Sequence, residues 1–162
     1  MKKILIILWL ITPFHASQAL SFNDIVDWAK PLMPWHESAP ELSFSLTDTK
    51  GNIFTEKNTR GKYLVINFWA TWCPPCWSFH QGGTLDDLYA SSGWGGSGDV
   101  AIFAVHASSS TQTFEGGEQG DWVNNTHYPM IDNTTIGSQF NVQGFPTIVM
   151  ICPDREVINI GR

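Results

Sequence analysis

The sequence predicts an α/β fold, and three stretches predict it. Tyr63–Trp69 and residues 100–105 are short, nearly continuous runs of apolar, β-prone side chains, the pattern of strands buried on both faces of a sheet. Cys73-Pro74-Pro75-Cys76 follows the first run almost at once. Proline suits the first turn of a helix, where its missing N–H would have no partner anyway. Gly144-Phe145-Pro146 opens a third apolar run, Thr147–Ile151, and a proline is tolerated at the start of a strand. A chain of 162 residues, 43% hydrophobic with eight Trp and ten Phe, can bury one ordinary core dominated by aromatic packing.

Taken in order, Met1-Lys2-Lys3, the apolar stretch Ile4 to Phe14 and Ala16-Ser17-Gln18-Ala19 supply the three parts of a secretory signal. Eleven positions with Pro13 near their end are too few to span a bilayer as a helix. The expectation is a leader over residues 1–19, cleaved after Ala19, and an exported protein in a compartment where disulfides persist. Losing Lys2 and Lys3 takes the net charge from −6 to about −8, which argues against nucleic acid or an anionic membrane surface as partner. Residues 20–38 read as a helix begun at Ser21-Phe22-Asn23-Asp24 and stopped at Pro31, then a linker, leaving 39–162 as the globular domain.

Within that domain, Leu42, Phe44 and Leu46 alternate with polar residues, Lys50-Gly51-Asn52 supplies a turn, and Ile53-Phe54-Thr55 returns, which is a hairpin pattern. The helix carrying Cys76 runs into Gly82-Gly83, each costing about 1 kcal/mol relative to alanine. A break is expected there, with a second helix from Thr84 through Leu85, Leu88 and Tyr89. Gly93 to Gly98 and Ser108 to Gly120 read as loops. A helix near residues 121–125, an extended piece over 128–132, a short helix over 135–140 and a strand over 157–160 complete the chain.

The chemistry centres on the cysteine pair. A strand-to-helix turn aims Cys73 at the unpaired N–H groups and positive dipole end of a helix. A thiolate is favoured there, so its pKa should fall below the free value of about 8.5. Cys76, one turn on and more shielded, can close a disulfide and resolve a mixed one. The spacing also permits a structural disulfide or half a zinc site, although zinc would want a second pair of ligands and the chain has no second CxxC.

Val65-Ile66-Asn67-Phe68-Trp69-Ala70 followed by Trp72-Cys73-Pro74-Pro75-Cys76 resembles the active-site stretch of the thioredoxin superfamily, nearest to its extracytoplasmic TlpA/ResA-like branch of thiol–disulfide oxidoreductases. Val142-Gln143-Gly144-Phe145-Pro146-Thr147 resembles the loop whose proline is cis in that superfamily. The likeness runs from about Ala39 to Ile160. It implies a thioredoxin-like fold, a central mixed sheet flanked by helices with an N-terminal β-hairpin extension. It implies that Cys73 attacks and Cys76 resolves, that Pro74 and Pro75 fix the helix start, and that Trp72 flanks the cysteines as an apolar shield. Pro146, with Phe145 offering backbone groups to an extended substrate segment, would shape a docking groove. No metal, nucleotide or flavin is implied, the redox-active disulfide being the whole cofactor. Partners would be protein thiols and disulfides, with a membrane-embedded dithiol as electron donor and reduction as the direction. A different reading keeps the fold as a binding or scaffold protein with a static disulfide. A third, a metal carrier using both cysteines and a histidine, fits less well, because copper-delivery relatives space their cysteines more widely.

Several positions depart from the family pattern. Asn67 stands where thioredoxins keep a buried acid, and Phe79 where the ResA group keeps a glutamate able to take the proton of Cys76. His80 is next along, and an ordinary pKa near 6.5 suits a proton acceptor. It fits a solvent-facing helix position equally well. Cys152, an odd third cysteine at a strand end, reads as a buried inert thiol. The sequence stops just after the 157–160 strand, where the family adds a covering helix. Its apolar face would then be covered by the N-terminal helix or a partner, or the sequence is a piece of a longer chain.

Overall fold

A computed structural model describes residues 36–38, 43–93, 96–110 and 113–161 of the chain. The expected leader and N-terminal helix lie outside these residues. Six strands form one mixed sheet in the order β1 (His36–Ser38), β8 (Glu156–Gly161), β7 (Thr147–Ile151), β4 (Tyr63–Trp69), β5 (Val100–His106) and β6 (Met130–Asp132). β4, β5 and β6 run parallel to one another, whereas β7 is antiparallel to β4, β8 to β7 and β1 to β8.

β4 and β5 are buried at every position, as continuous apolar runs at the middle of a sheet should be. Alternation sends Leu64, Ile66 and Phe68 of β4, with Ala101, Phe103 and Val105 of β5, to one face, where they form the main core. The hairpin of β2 (Ser45–Thr47) and β3 (Ile53–Thr55) covers that face with Leu46 and Phe54. The Phe54 and Phe44 rings lie 5.0 and 6.4 Å from that of Phe103. Its turn is built by Asp48, whose Oδ1 accepts the amide N–H groups of Lys50 and Asn52 at 2.9 and 2.7 Å. A bridge from Asp48 to Ile131, with the Thr49 amide donating to Met130 O at 2.9 Å, joins the hairpin to β6 and covers that sheet edge.

The opposite face presents Val65, Asn67, Trp69, Ile102, Ala104 and His106 by the same alternation. α2 (Pro74–Gln81) leads into α3 (Thr84–Ser92), which packs on β5. The break between them falls at the two glycines, because Gly83 adopts φ 71°, which side-chain-bearing residues avoid. α1 (Glu56–Thr59) carries no apolar periodicity and escapes the sequence reading. It is held by a capping box in which Thr55 and Asn58 exchange side-chain and backbone hydrogen bonds.

Three boundaries are corrected. His36–Ser38, read as part of the linker 20–38, forms β1 and occupies the outer edge of β8 in register His36 with Ile158. The helix expected near 121–125 is a single turn: Asp121 Oδ1 caps Val123 N and Asn124 N at 3.0 Å each, but Asn125 at φ 63° ends it at once. The helix expected over 135–140 is shorter, α4 (Ile136–Gln139), begun by Asn133 Oδ1 accepting from Thr135 N and Ile136 N.

Phe103 joins sheet and hairpin, so Phe103→Ala should lower unfolding free energy by about 3–5 kcal/mol in urea titration. Ile53→Ala, at a side chain 61% exposed in the same hairpin, should change it by no more than about 0.5 kcal/mol. Equal costs would mean the hairpin does not bury its Leu46–Phe54 face as described.

Candidate active site

β4 ends at Trp69, and four residues later Cys73 sits at the N-cap of α2 with extended backbone, φ −93° and ψ 104°. Its amide donates to Ala70 O at 3.1 Å, and its carbonyl accepts the Trp77 N–H at 3.1 Å. Pro74 and Pro75 fill the first two helical positions and have no N–H to satisfy. The next donor, the Cys76 N–H, points at Cys73 Sγ at 3.3 Å. Cys73 and Cys76 form a disulfide with Cα atoms 5.3 Å apart. Both residues are buried, 2% and 1% exposed, so the expected contrast in shielding is absent. Cys152 is outside any disulfide and buried.

The second predicted stretch arrives beside the first. The Phe145–Pro146 peptide bond is cis, and the next residue, Thr147, pairs with Phe68 of β4. The Phe145 ring meets that of Trp72 edge-on at 6.0 Å. Trp72 is not a closed shield: it is 47% exposed, and its indole N–H donates to Ser108 Oγ at 2.9 Å.

What sequence reasoning missed is the segment between β5 and β6. Polar and glycine-rich by composition, it drives Phe114, Trp122 and Tyr128 into the molecule. Trp122 stacks on Trp69 at 4.3 Å and meets Trp77 at 4.8 Å and His80 at 5.3 Å. Phe114 and His106 each pack on Trp69, and His106 Nδ1 lies 3.0 Å from Asp132 Oδ1. Gly120, at φ 140°, sits so close to the Trp77 ring that a Cβ there would lie 2.8 Å from it. A sequence signal existed in the three aromatics spaced through a loop, since aromatics seldom stay in water without reason.

His80 belongs to this layer rather than to open solvent. Half-buried on α2, it meets the Trp77 ring at 5.4 Å, and its Nδ1 lies 3.0 Å from the Tyr128 hydroxyl. Burial lowers its pKa from the ordinary 6.5, while Asp86 and Asp121 work in the other direction. Burial, reinforced by Asp86, raises Tyr128 well above an ordinary phenol. A cavity of about 550 Å³ beside them is lined by Trp77, His80, Asp86, Asp121, Asn124 and His127. His80 and Cys76 are four residues apart on one helix and so share a face. Neither cysteine hydrogen-bonds to His80 among the described residues.

A redoxin domain matches residues 36–162. The chain belongs to the redoxin family. It is 28% identical over 117 residues to the thioredoxin-like protein YneN of Bacillus subtilis, a span of 71% of this chain and 64% of that one. It is 27% identical over 127 residues to the thiol–disulfide oxidoreductase ResA of the same organism, spanning 76% and 66%. The match therefore spans just under two thirds of the length of these relatives. The fold superposes on a secreted disulfide oxidoreductase of Mycobacterium tuberculosis with TM-score 0.59 at 19% identity, covering 74% of this chain and 84% of that one. With StoA of Bacillus subtilis the TM-score is 0.56 at 19% identity, covering 75% and 90%. This redoxin-family chain thus has the expected thioredoxin-like fold, a mixed sheet with a separate hairpin, and is similar in sequence to ResA. Among the described residues, no group of three or more His, Cys, Asp or Glu is placed to hold a metal ion. No helix among them is long and apolar enough to cross a membrane.

The His80 environment has a measurable consequence. A histidine whose native pKa is lowered binds fewer protons folded than unfolded, so stability drops as pH falls from above 6.5 toward that native pKa. His80→Gln should lose less stability than wild type between pH 7.5 and pH 5 in denaturant titrations. Parallel losses would show that His80 is not held in its neutral form by burial.

Proposed function

We propose that the protein is an exported thiol–disulfide oxidoreductase that exchanges the Cys73–Cys76 pair with protein thiols and disulfides, as a reductase. The observation that carries this reading is the Cys76 N–H aimed at Cys73 Sγ at a proline-started helix end, where a sulfur anion is favoured. In the reducing direction the Cys73 thiolate attacks a substrate disulfide, forming a mixed disulfide and releasing one substrate thiolate. Cys76 then gives up its proton and attacks Cys73 Sγ. The Cys73–substrate bond breaks, the second substrate sulfur leaves, and the enzyme is left oxidised by two electrons. The proton of Cys76 passes to water or to His80, one helical turn away, whose lowered pKa keeps the ring neutral and able to accept near pH 7. Phe145 and Pro146 line the approach to the cysteines, where an extended segment would pair.

The cycle needs no metal or organic cofactor. A membrane-embedded dithiol regenerates the reduced pair, and the leader over residues 1–19, cut after Ala19, sends the protein outside the cytoplasm. Export is supported by the secreted relative from Mycobacterium tuberculosis. The reducing direction rests on the ResA likeness.

One observation favours a second reading, a scaffold with a static disulfide: both cysteines are nearly inaccessible. Insulin reduction by dithiothreitol, followed by turbidity, separates the two. Wild type should accelerate precipitation and Cys73→Ser should match the uncatalysed rate; equal traces for both proteins favour the scaffold. Direction is read by equilibration against glutathione buffers. A reductase should show a potential as negative as thioredoxin's, about −270 mV. A value near the −120 mV of strong oxidants would reverse the assignment.

A further inference from the structure

The segment after β5 does more than fill the space under the cysteines. Ala107 N–H donates to Trp69 O at 3.1 Å, which carries it to the end of β4. From there two serines, two residues apart, reach the two residues that precede Cys73. The Thr71 hydroxyl donates to Ser110 Oγ at 3.2 Å. Ser108 Oγ accepts both the Trp72 indole N–H at 2.9 Å and the Ser110 amide at 3.3 Å. Thr71 is wholly buried, whereas Trp72 is 47% exposed. Two contacts therefore orient an otherwise open indole: its edge-on packing with Phe145 and the hydrogen bond to Ser108.

An exposed indole N–H loses little by turning to water, so the Ser108 bond adds little stability. What it supplies is orientation. Held at both ends, the ring of Trp72, the residue before Cys73, keeps one orientation. Released from Ser108, it can turn about its side-chain torsions. Strand-like pairing along the Phe145 backbone would grip any extended segment, since main-chain hydrogen bonds are indifferent to sequence. Discrimination between substrates must then come from side-chain contacts, and Trp72 is the large exposed aromatic positioned to make one.

We propose that Ser108 is a positioning residue that sets substrate specificity. By latching Trp72 against Phe145, it selects disulfides whose reacting cysteine is flanked by an apolar side chain. This rests on the exchange reading above.

The test uses two disulfide-bonded peptides, with leucine or serine beside the reacting cysteine, as substrates in a dithiothreitol-driven assay. Wild type should show a KM for the leucine peptide about threefold to tenfold below that for the serine peptide, the range expected when about half of one leucine side chain is buried against an aromatic face. Ser108→Ala should raise the leucine-peptide KM until the two are equal, with kcat moving less than twofold. Ser108→Thr, which keeps the hydroxyl, should restore the preference. In parallel, the Trp72 indole N–H, assigned through Trp72→Phe, should exchange with solvent several-fold faster in Ser108→Ala by NMR. A KM ratio unchanged in Ser108→Ala, or an equal fall in kcat on both peptides, overturns the specificity role. An unchanged indole exchange rate overturns the latch itself. Turnover of neither peptide by wild type would overturn the exchange reading, and the specificity role with it, while the indole measurement would still judge the latch.

Discussion

The rest of the site depends on how one sulfur closes the start of α2. A helix normally begins with several N–H groups lacking partners. Here two of those positions are proline, and the Cys73 amide is already bonded to Ala70 O. The first free donor is the Cys76 N–H, and Cys73 Sγ is its acceptor. The prolines thus remove competing donors and concentrate the positive end of the helix on a single atom. A neutral thiol is a weak acceptor and a thiolate a strong one, so the local backbone favours the anion without any cationic side chain.

Burial opposes this, because a charged sulfur loses hydration as its surroundings dry. Both cysteines are nearly enclosed, and between α2 and the sheet lies a layer of rings: Trp69, Trp77, Trp122, Phe114, His80 and His106. Asn67 Oδ1, Trp69 Nε1, His106 Nε2 and Trp122 Nε1 are buried there with no hydrogen-bond partner among the described residues. Asn67 is telling. A carboxylate buried at that point of β4 would add a negative charge to the same face of the sheet and work against a thiolate. An amide leaves helix end and desolvation to balance with no third charge between them.

Much of this was legible because it is local. The burial of β4 follows from its composition, the start of α2 from two prolines, the break at Gly83 from paired glycines, and the hairpin from alternation around Lys50-Gly51-Asn52. The β5–β6 segment was not, because its order comes from contacts far apart in the chain. Trp122 packs on Trp69, 53 positions away, and Tyr128 reaches His80 across 48. Asp121 does cap Val123 N and Asn124 N, but one left-handed asparagine outweighs a good cap. His36–Ser38 gave no strand pattern. Three residues pair there because the outer edge of β8 offers a row of open backbone groups.

The same segment explains why a polar sequence ends up at the centre of the site. To pass over α2 it must approach Trp77 more closely than any side chain permits, which calls for Gly120. To order its far end it ties His127 to Asp86 of α3, through both backbone and ring nitrogen. Its aromatics then point down into the layer under the cysteines, and its serines point across to Thr71 and Trp72. Two tasks are thereby assigned to different parts of the fold. The β4–α2 junction favours a charged Cys73 sulfur through backbone groups at the start of α2. The β5–β6 segment supplies buried aromatics to the layer between α2 and the sheet and the serines that reach Thr71 and Trp72. Its substitutions therefore act on the desolvation of the sulfur as well as on the residues that precede it.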